Sequence, residues 1–307
     1  MSVKLGIVGA GAWGKALFSM FSKKFNGIVL YSRNSSGTQI SNKLEDVANL
    51  DYIFLVIPAQ EVKDFCSQLK EHLSANTKIV VCSKGIENSS GQLISGVVGE
   101  IFPDNVILIM SGPNFATEIS ENLPSVSSIA CQNIDIAKKA AAELSTDNFK
   151  LYPTDDIIAV SLYGALKNVL AITCGMVRGL DLGENFIAAV ITKGVNEIAL
   201  LSRVKGGKDS TIFEPACIGD VFLTCNSTTS RNTKFGMDLA RKYLNKDYKE
   251  IIKEEKNTVE GMHTALSLHS YYNNINIPLL KLAYYVMSNK IDSQDVLTAK
   301  IKSVVLA

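Results

Sequence analysis

Lys4-Leu5-Gly6-Ile7-Val8-Gly9-Ala10-Gly11-Ala12-Trp13-Gly14 decides the fold. The apolar run within Val3–Val8 suits a strand buried on both faces, and it breaks directly into Gly9-x-Gly11-x-x-Gly14 ahead of a helical stretch at Lys15–Lys24. Alone, three spaced glycines describe an ordinary turn. Between a strand and a helix they form the dinucleotide fingerprint. Gly9 permits the tight turn, Gly11 lets a pyrophosphate approach the backbone, and Gly14 lets helix and strand pack closely. The helix N-terminus then offers free N–H groups and the positive end of its dipole to the phosphates.

Working outward, Ile28–Tyr31, Tyr52–Ile57, Ile79–Ser83 and Val106–Met110 are further continuous apolar runs, with weaker strand candidates at Ser127–Cys131 and Lys150–Tyr152. Helical stretches such as Val62–Leu73 and Ile136–Leu144 alternate with them. That alternation predicts an α/β Rossmann-like domain with a mainly parallel sheet over residues 1–155. Beyond Tyr152-Pro153-Thr154 the period changes to that of helices: Ile157–Met176, Ala188–Ser202, Phe235–Leu244, Met262–Tyr271 and Leu279–Met287. An all-α domain is therefore expected over 156–307.

Lysine plus arginine (31) nearly balance aspartate plus glutamate (30), so the net charge of +1 gives no global attraction to nucleic acid or anionic membrane. An anionic ligand has to be held by local groups. No run reaches the ~18 uninterrupted apolar residues of a membrane span, so no membrane insertion is expected. The N-terminal apolar run is too short for a signal peptide. The six cysteines show no C-x-x-C pair and no histidine at metal-ligand spacing. They read as reduced thiols of a cytoplasmic protein, with no metal site. His72, His263 and His269 are the only histidines, and none lies in a site-like stretch.

A site for NAD usually places an acidic residue about 20 positions on, at the end of the second strand, to hold the ribose 2′-hydroxyl. Here that strand ends Tyr31-Ser32-Arg33-Asn34, and residues 1–44 contain no aspartate or glutamate. Arg33 stands where a 2′-phosphate needs a cation, which favours NADP(H). Arginine can also stack on adenine and tolerate NAD(H), and a solvated strand-end charge is the plain alternative.

Ser83-Lys84-Gly85-Ile86-Glu87 and Ser111-Gly112-Pro113-Asn114-Phe115-Ala116 each follow a strand, on the carboxyl edge where open α/β sheets bind ligands. A lysine in the first loop and backbone N–H groups in the second suit an anionic substrate, although ordinary loops would also read this way. Lys167 sits among Leu162, Leu166, Val169 and Leu170 in the long apolar helix. It either faces a cleft, where desolvation would lower its pKa and make it a general acid/base, or snorkels to the surface. Asp220, after Gly219, could hold a substrate hydroxyl or orient Lys167. Ser230-Arg231-Asn232 combines a guanidinium fork with neutral hydrogen-bonding groups, good chemistry for a phosphate monoester. A helix N-cap at Ser230 beside a surface arginine is the alternative.

Together these motifs resemble the bacterial-type NAD(P)-dependent glycerol-3-phosphate dehydrogenase family. The resemblance runs nearly end to end: GAGAWG, SKGIE, SGPNFA, YGALKNVLAI, GDVFLTC, SRNTKFG and VEG. It implies a cytoplasmic enzyme, commonly dimeric, that reversibly reduces dihydroxyacetone phosphate with NADPH or NADH and supplies glycerol 3-phosphate for phospholipid synthesis. By motif, it implies Lys167 as proton donor and acceptor. Lys84, Gly112, Asn114, Asp220, Ser230, Arg231 and Asn232 become substrate contacts. Gly9, Gly11, Ala12, Trp13, Gly14, Arg33, Lys84, Ala116, Arg231, Thr258 and Glu260 become cofactor-side positions. The chain departs from the family at Ala12 and Asn114, where serine is usual, at Thr258, where valine is common, and in a shortened segment between Arg33 and Asp51. Two other readings compete: a ketopantoate- or hydroxyacid-type reductase, which needs a carboxylate site instead of Ser-Arg-Asn, and a nucleotide-sensing protein that has lost catalysis.

Overall fold

The structure is a computed structural model that describes residues 3–34, 37, 39–244, 246, 248–255 and 259–306. Strands β1 (Lys4–Val8), β2 (Gly27–Tyr31), β3 (Ile40–Ser41), β4 (Tyr52–Leu55), β5 (Lys78–Val81), β6 (Ile107–Ser111), β7 (Ser125–Ala130) and β8 (Phe149–Thr154) form one sheet in the order β3-β2-β1-β4-β5-β6-β7-β8. Every pairing is parallel except β6 with β7. The Rossmann-like fold anticipated above is present.

The apolar runs are continuous because both faces of the sheet are covered. On β4, Tyr52 and Phe54 enter one core with Leu5, Ile7, Leu17 and Phe21. Ile53 and Leu55, pointing the other way, enter a second core with Val62, Phe65 and Leu69. Helices α1 (Ala12–Phe21), α2 (Glu45–Ala48), α3 (Val62–Leu69), α4 (Ile94–Ile101), α5 (Ala116–Ser120) and α6 (Ile134–Leu144) accompany the sheet. The first helix begins three residues earlier than its apolar pattern suggests, with Gly11 as its N-cap. Neither α4 nor the two-residue β3 was anticipated. Gly96 and Gly99 weaken the helical signal of α4, and β3 is too short to show a period.

The second half holds α7 (Ile157–Gly179), α8 (Glu184–Val204), α9 (Asp220–Asn226), α10 (Arg231–Arg241), α11 (Tyr248–Glu254), α12 (Glu260–Tyr271), α13 (Leu282–Met287) and α14 (Gln294–Val305). The chain divides into two compact units: residues 1–84, 92–161 and 214–216 in the first, and 85–91, 162–213 and 217–307 in the second. The sequence boundary near residue 155 thus falls a few residues short of the change of unit in α7. It also misses two short stretches that belong with the opposite unit.

Asp156 starts α7 by accepting from the Ala159 amide at 2.8 Å. Its length and apolar composition would allow α7 to cross a membrane, yet most of it is buried inside the protein. Glycines let its neighbours come close. A Cβ on Gly175 would lie 2.1 Å from the Thr233 carbonyl oxygen, and one on Gly236 would lie 2.0 Å from the Ile172 carbonyl oxygen. Helices α7 and α10 therefore cross backbone to backbone, bringing the N-terminal end of α10 against the middle of α7.

Candidate active site

In the first unit the glycine loop takes the form its spacing requires. Gly9 has φ +115°, a conformation that strains a residue carrying Cβ, and its N–H donates to the Tyr31 carbonyl at 2.9 Å. A Cβ on Gly14 would lie 1.8 Å from the Gly9 carbonyl oxygen, whereas one on Gly11 would meet nothing within 4 Å. This is a closed turn with open space at its second glycine, which fits a dinucleotide pyrophosphate. Ala12 is exposed, and Trp13, half-buried, packs against the core.

Arg33 lies just beyond β2 and is exposed; its guanidinium pairs with the Glu61 carboxylate. Lys84 lies at the end of the first unit, half-buried. Gly112 is required by packing: a Cβ there would lie 2.6 Å from the Ser127 hydroxyl and 2.7 Å from the Val126 carbonyl oxygen. Asn114 uses its amide within the same unit, donating to the Ser125 hydroxyl at 2.6 Å and the Val126 carbonyl at 2.9 Å while accepting from the Ser127 hydroxyl at 2.5 Å. Ala116, half-buried, opens α5.

In the second unit Lys167 does not snorkel. It is 8% exposed, and its ammonium donates to Asp220 Oδ1 at 2.5 Å and to the Thr224 hydroxyl at 2.9 Å. Asp220 is 1% exposed and also accepts from the Thr224 hydroxyl at 3.3 Å. A buried counter-ion stabilises the ammonium, so desolvation does not act on Lys167 alone as the sequence reading supposed. Of the two roles considered for Asp220, contact with Lys167 is present. Thr224 was missed in the sequence, although it lies one helical turn after Asp220.

A second network ties α7, α10 and α12 together. Asn168 donates to Glu260 at 3.2 Å and accepts from the Asn232 side-chain amide at 3.0 Å, and Asn232 accepts from the Gly261 backbone N–H at 3.0 Å. Ser230 caps α10, accepting from the Thr233 amide at 3.4 Å, and Arg231 beside it is exposed. The cap and the exposed arginine match the plain alternative, and they also leave the guanidinium accessible. Thr258 lies outside the described residues. Burial holds the pKa of His263 below the ordinary histidine range, and the same holds for His269, which stacks on Tyr284. Among the described residues no group of three or more His, Cys, Asp or Glu side chains could hold a metal ion.

The loop after Lys84 belongs to this unit and is tightly organised. Ser267 donates to the Asn88 side chain at 2.6 Å, Tyr271 to the Ser89 carbonyl at 2.7 Å and Tyr272 to the Gly91 carbonyl at 2.7 Å. Inside the loop, Glu87 accepts from the Ser89 amide at 3.1 Å, the Ser89 hydroxyl at 2.9 Å and the Ser90 amide at 2.7 Å. Burial works against its charge, but the Ser90 and Ser89 hydrogen bonds outweigh burial and pull its pKa from 4.5 to about 2. A carboxylate lowered in the fold contributes stability above its unfolded pKa and loses it on acidification. At neutral pH, Glu87→Gln should therefore destabilise the protein by about 1–3 kcal/mol in urea unfolding. The gap should close between pH 4.5 and 2. Equal stability at neutral pH would show that the carboxylate does not hold the loop.

Family models described as NAD-dependent glycerol-3-phosphate dehydrogenase N-terminus and C-terminus match residues 40–137 and 156–298. The chain belongs to that family. A glycerol-3-phosphate dehydrogenase [NAD(P)+] of Wolbachia sp. subsp. Drosophila simulans is 36% identical over 97% of this chain and 99% of its own length. One from Sulfurimonas denitrificans is 34% identical over 92% of this chain and 94% of its own. The crystal structure of glycerol-3-phosphate dehydrogenase from Coxiella burnetii is similar with a TM-score of 0.88 and 29% identity, over 97% of this chain and 98% of that one. A 2-dehydropantoate 2-reductase structure from Geobacter metallireducens, at 12% identity and TM-score 0.62, shares the fold alone. The chain is thus an oxidoreductase of the NAD(P)-dependent glycerol-3-phosphate dehydrogenase type, and the reductase alternative is the weaker reading.

Proposed function

We propose that this chain interconverts sn-glycerol 3-phosphate and dihydroxyacetone phosphate, with Lys167 as the residue that moves the proton. The buried Lys167–Asp220–Thr224 cluster carries the reading: an amine on an apolar helix, held in a fixed place by hydrogen bonds to a carboxylate and a hydroxyl. On reduction Lys167 gives its proton to the oxygen on C2 of the substrate; on oxidation it takes that proton back. Arg231 and Lys84 neutralise the phosphate. Gly112, Asn114, Ser230 and Asn232 shape the site, the last three through the hydrogen bonds they make inside the protein.

The open glycine turn fits NAD(P), and Gly9, Gly11, Ala12, Trp13 and Gly14 would hold its pyrophosphate, with Ala116, Thr258 and Glu260 on the cofactor side. The nicotinamide supplies or accepts the hydride when bound. Arg33 offers a cation to a 2′-phosphate, which supports NADPH as the favoured form. We place the enzyme in the cytoplasm, as a homodimer that feeds phospholipid synthesis. The exposed Phe213 and Phe222 side chains supply apolar surface for a second copy.

The phosphate assignment is tested by comparing dihydroxyacetone phosphate with dihydroxyacetone. Arg231→Ala should raise KM for the phosphorylated substrate by about 10- to 100-fold and narrow the preference for it over the unphosphorylated one. An unchanged preference would remove Arg231 from the phosphate site.

A further inference from the structure

The strand ends that flank the glycine loop carry an unexpected pair. Strands β2 and β4 lie on either side of β1, whose carboxyl end opens into Gly9–Gly14. Arg33 follows β2 by two residues, and Glu61 ends a turn of 3₁₀ helix, Ala59–Glu61, a few residues after β4. The Arg33 guanidinium donates to the Glu61 carboxylate, and the two side chains are 40% and 47% exposed. The acidic residue usually sought at the end of the second strand is absent from this chain. A carboxylate that follows β4, on the other side of β1, instead pairs with the arginine that could read a 2′-phosphate there.

We propose that Glu61 is a specificity-determining residue that limits the preference for the 2′-phosphorylated dinucleotide; this rests on reading the glycine loop as a dinucleotide site. A 2′-phosphate brings nearly two negative charges to Arg33 and must either displace the Glu61 carboxylate or lie beside it. A ribose 2′-hydroxyl carries no charge and can donate to a carboxylate, so the pair does not count against NADH. Both groups are exposed, so water screens the pair and its effect is moderate.

The test is the ratio of dissociation constants for NADH and NADPH, measured by fluorescence titration on the full chain. Wild type, Glu61→Gln, Arg33→Gln and the double variant are compared. Glu61→Gln should shift the ratio toward NADPH by roughly fivefold, as expected for an exposed ion pair. The shift should be smaller in the Arg33→Gln background, because part of the effect of Glu61 runs through the arginine it pairs with. A general loss of folding would weaken both dinucleotides together and leave the ratio alone. Both dinucleotides binding, with one ratio in wild type and Glu61→Gln, would overturn the role of Glu61 and spare the glycine-loop reading. Failure of wild type to bind either dinucleotide would overturn both.

Discussion

Lys167→Ala should lower turnover by about three orders of magnitude, in line with the loss of a positioned general acid, while dinucleotide binding stays intact. The argument has two parts that one substitution mixes. The ammonium is the proposed proton donor, and it is also the counter-ion of a carboxylate that is 1% exposed. Removing it leaves a buried charge without its partner, at a cost of about 3–5 kcal/mol of stability. The double variant Lys167→Met, Asp220→Asn separates the two. With both charges gone, the side-chain volumes nearly kept and the introduced asparagine still able to hydrogen-bond the Thr224 hydroxyl, stability should return toward wild type, since no unpaired buried charge remains. Turnover should not return. Activity in the double variant comparable to wild type would show that Lys167 is a structural cation.

Gly236→Val should be strongly damaging although it lies outside the charged cluster. A single Cβ at this position already lies 2.0 Å from the Ile172 carbonyl oxygen and 2.9 Å from the Gly175 Cα, all rigid helix atoms. The two further methyls of valine cannot fit unless α10 moves off α7, and the overpacking costs about 3 kcal/mol or more. The movement would carry Arg231 and Asn232 with it. Asn232 would lose register with Asn168, which it now meets at 3.0 Å. Thermal unfolding should therefore shift strongly downward, and residual folded enzyme should show a raised KM for the phosphorylated substrate. Gly99→Ala is the control. Nothing lies within 4 Å of its Cβ, so within α4 it should be neutral or gain up to about 1 kcal/mol from helix propensity. Equal losses from both variants would contradict the crossing as the cause.

These cases show where the sequence was legible. The glycine loop could be read because its three glycines are close in sequence and sit between a strand and a helix: Gly14 meets Gly9, Gly9 meets the chain just after the strand beside it, and Gly11 faces open space. Lys167 could be noticed, as a charge inside an apolar helix, but its environment could not. Asp220 and Thr224 lie 53 and 57 residues further on, and a single sequence does not show which distant residues meet. Gly175 and Gly236 look like weak points in their helices until the crossing explains them. The same limit applies to Arg33: its charge suggested a 2′-phosphate, but its partner Glu61 lies 28 residues away on another strand end. Ser230 and Asn114 read as ligand contacts in the sequence, which could not show the hydrogen bonds each makes within its own unit, as an N-cap and to a strand neighbour.

The decisive measurement is oxidation of NADPH and of NADH by the purified full chain, followed as loss of reduced-nicotinamide absorbance on adding dihydroxyacetone phosphate. Turnover with both cofactors, abolished in Lys167→Ala protein that still binds them, is the expected result. Folded protein that binds the dinucleotides but leaves dihydroxyacetone phosphate unreduced would contradict the proposed reaction.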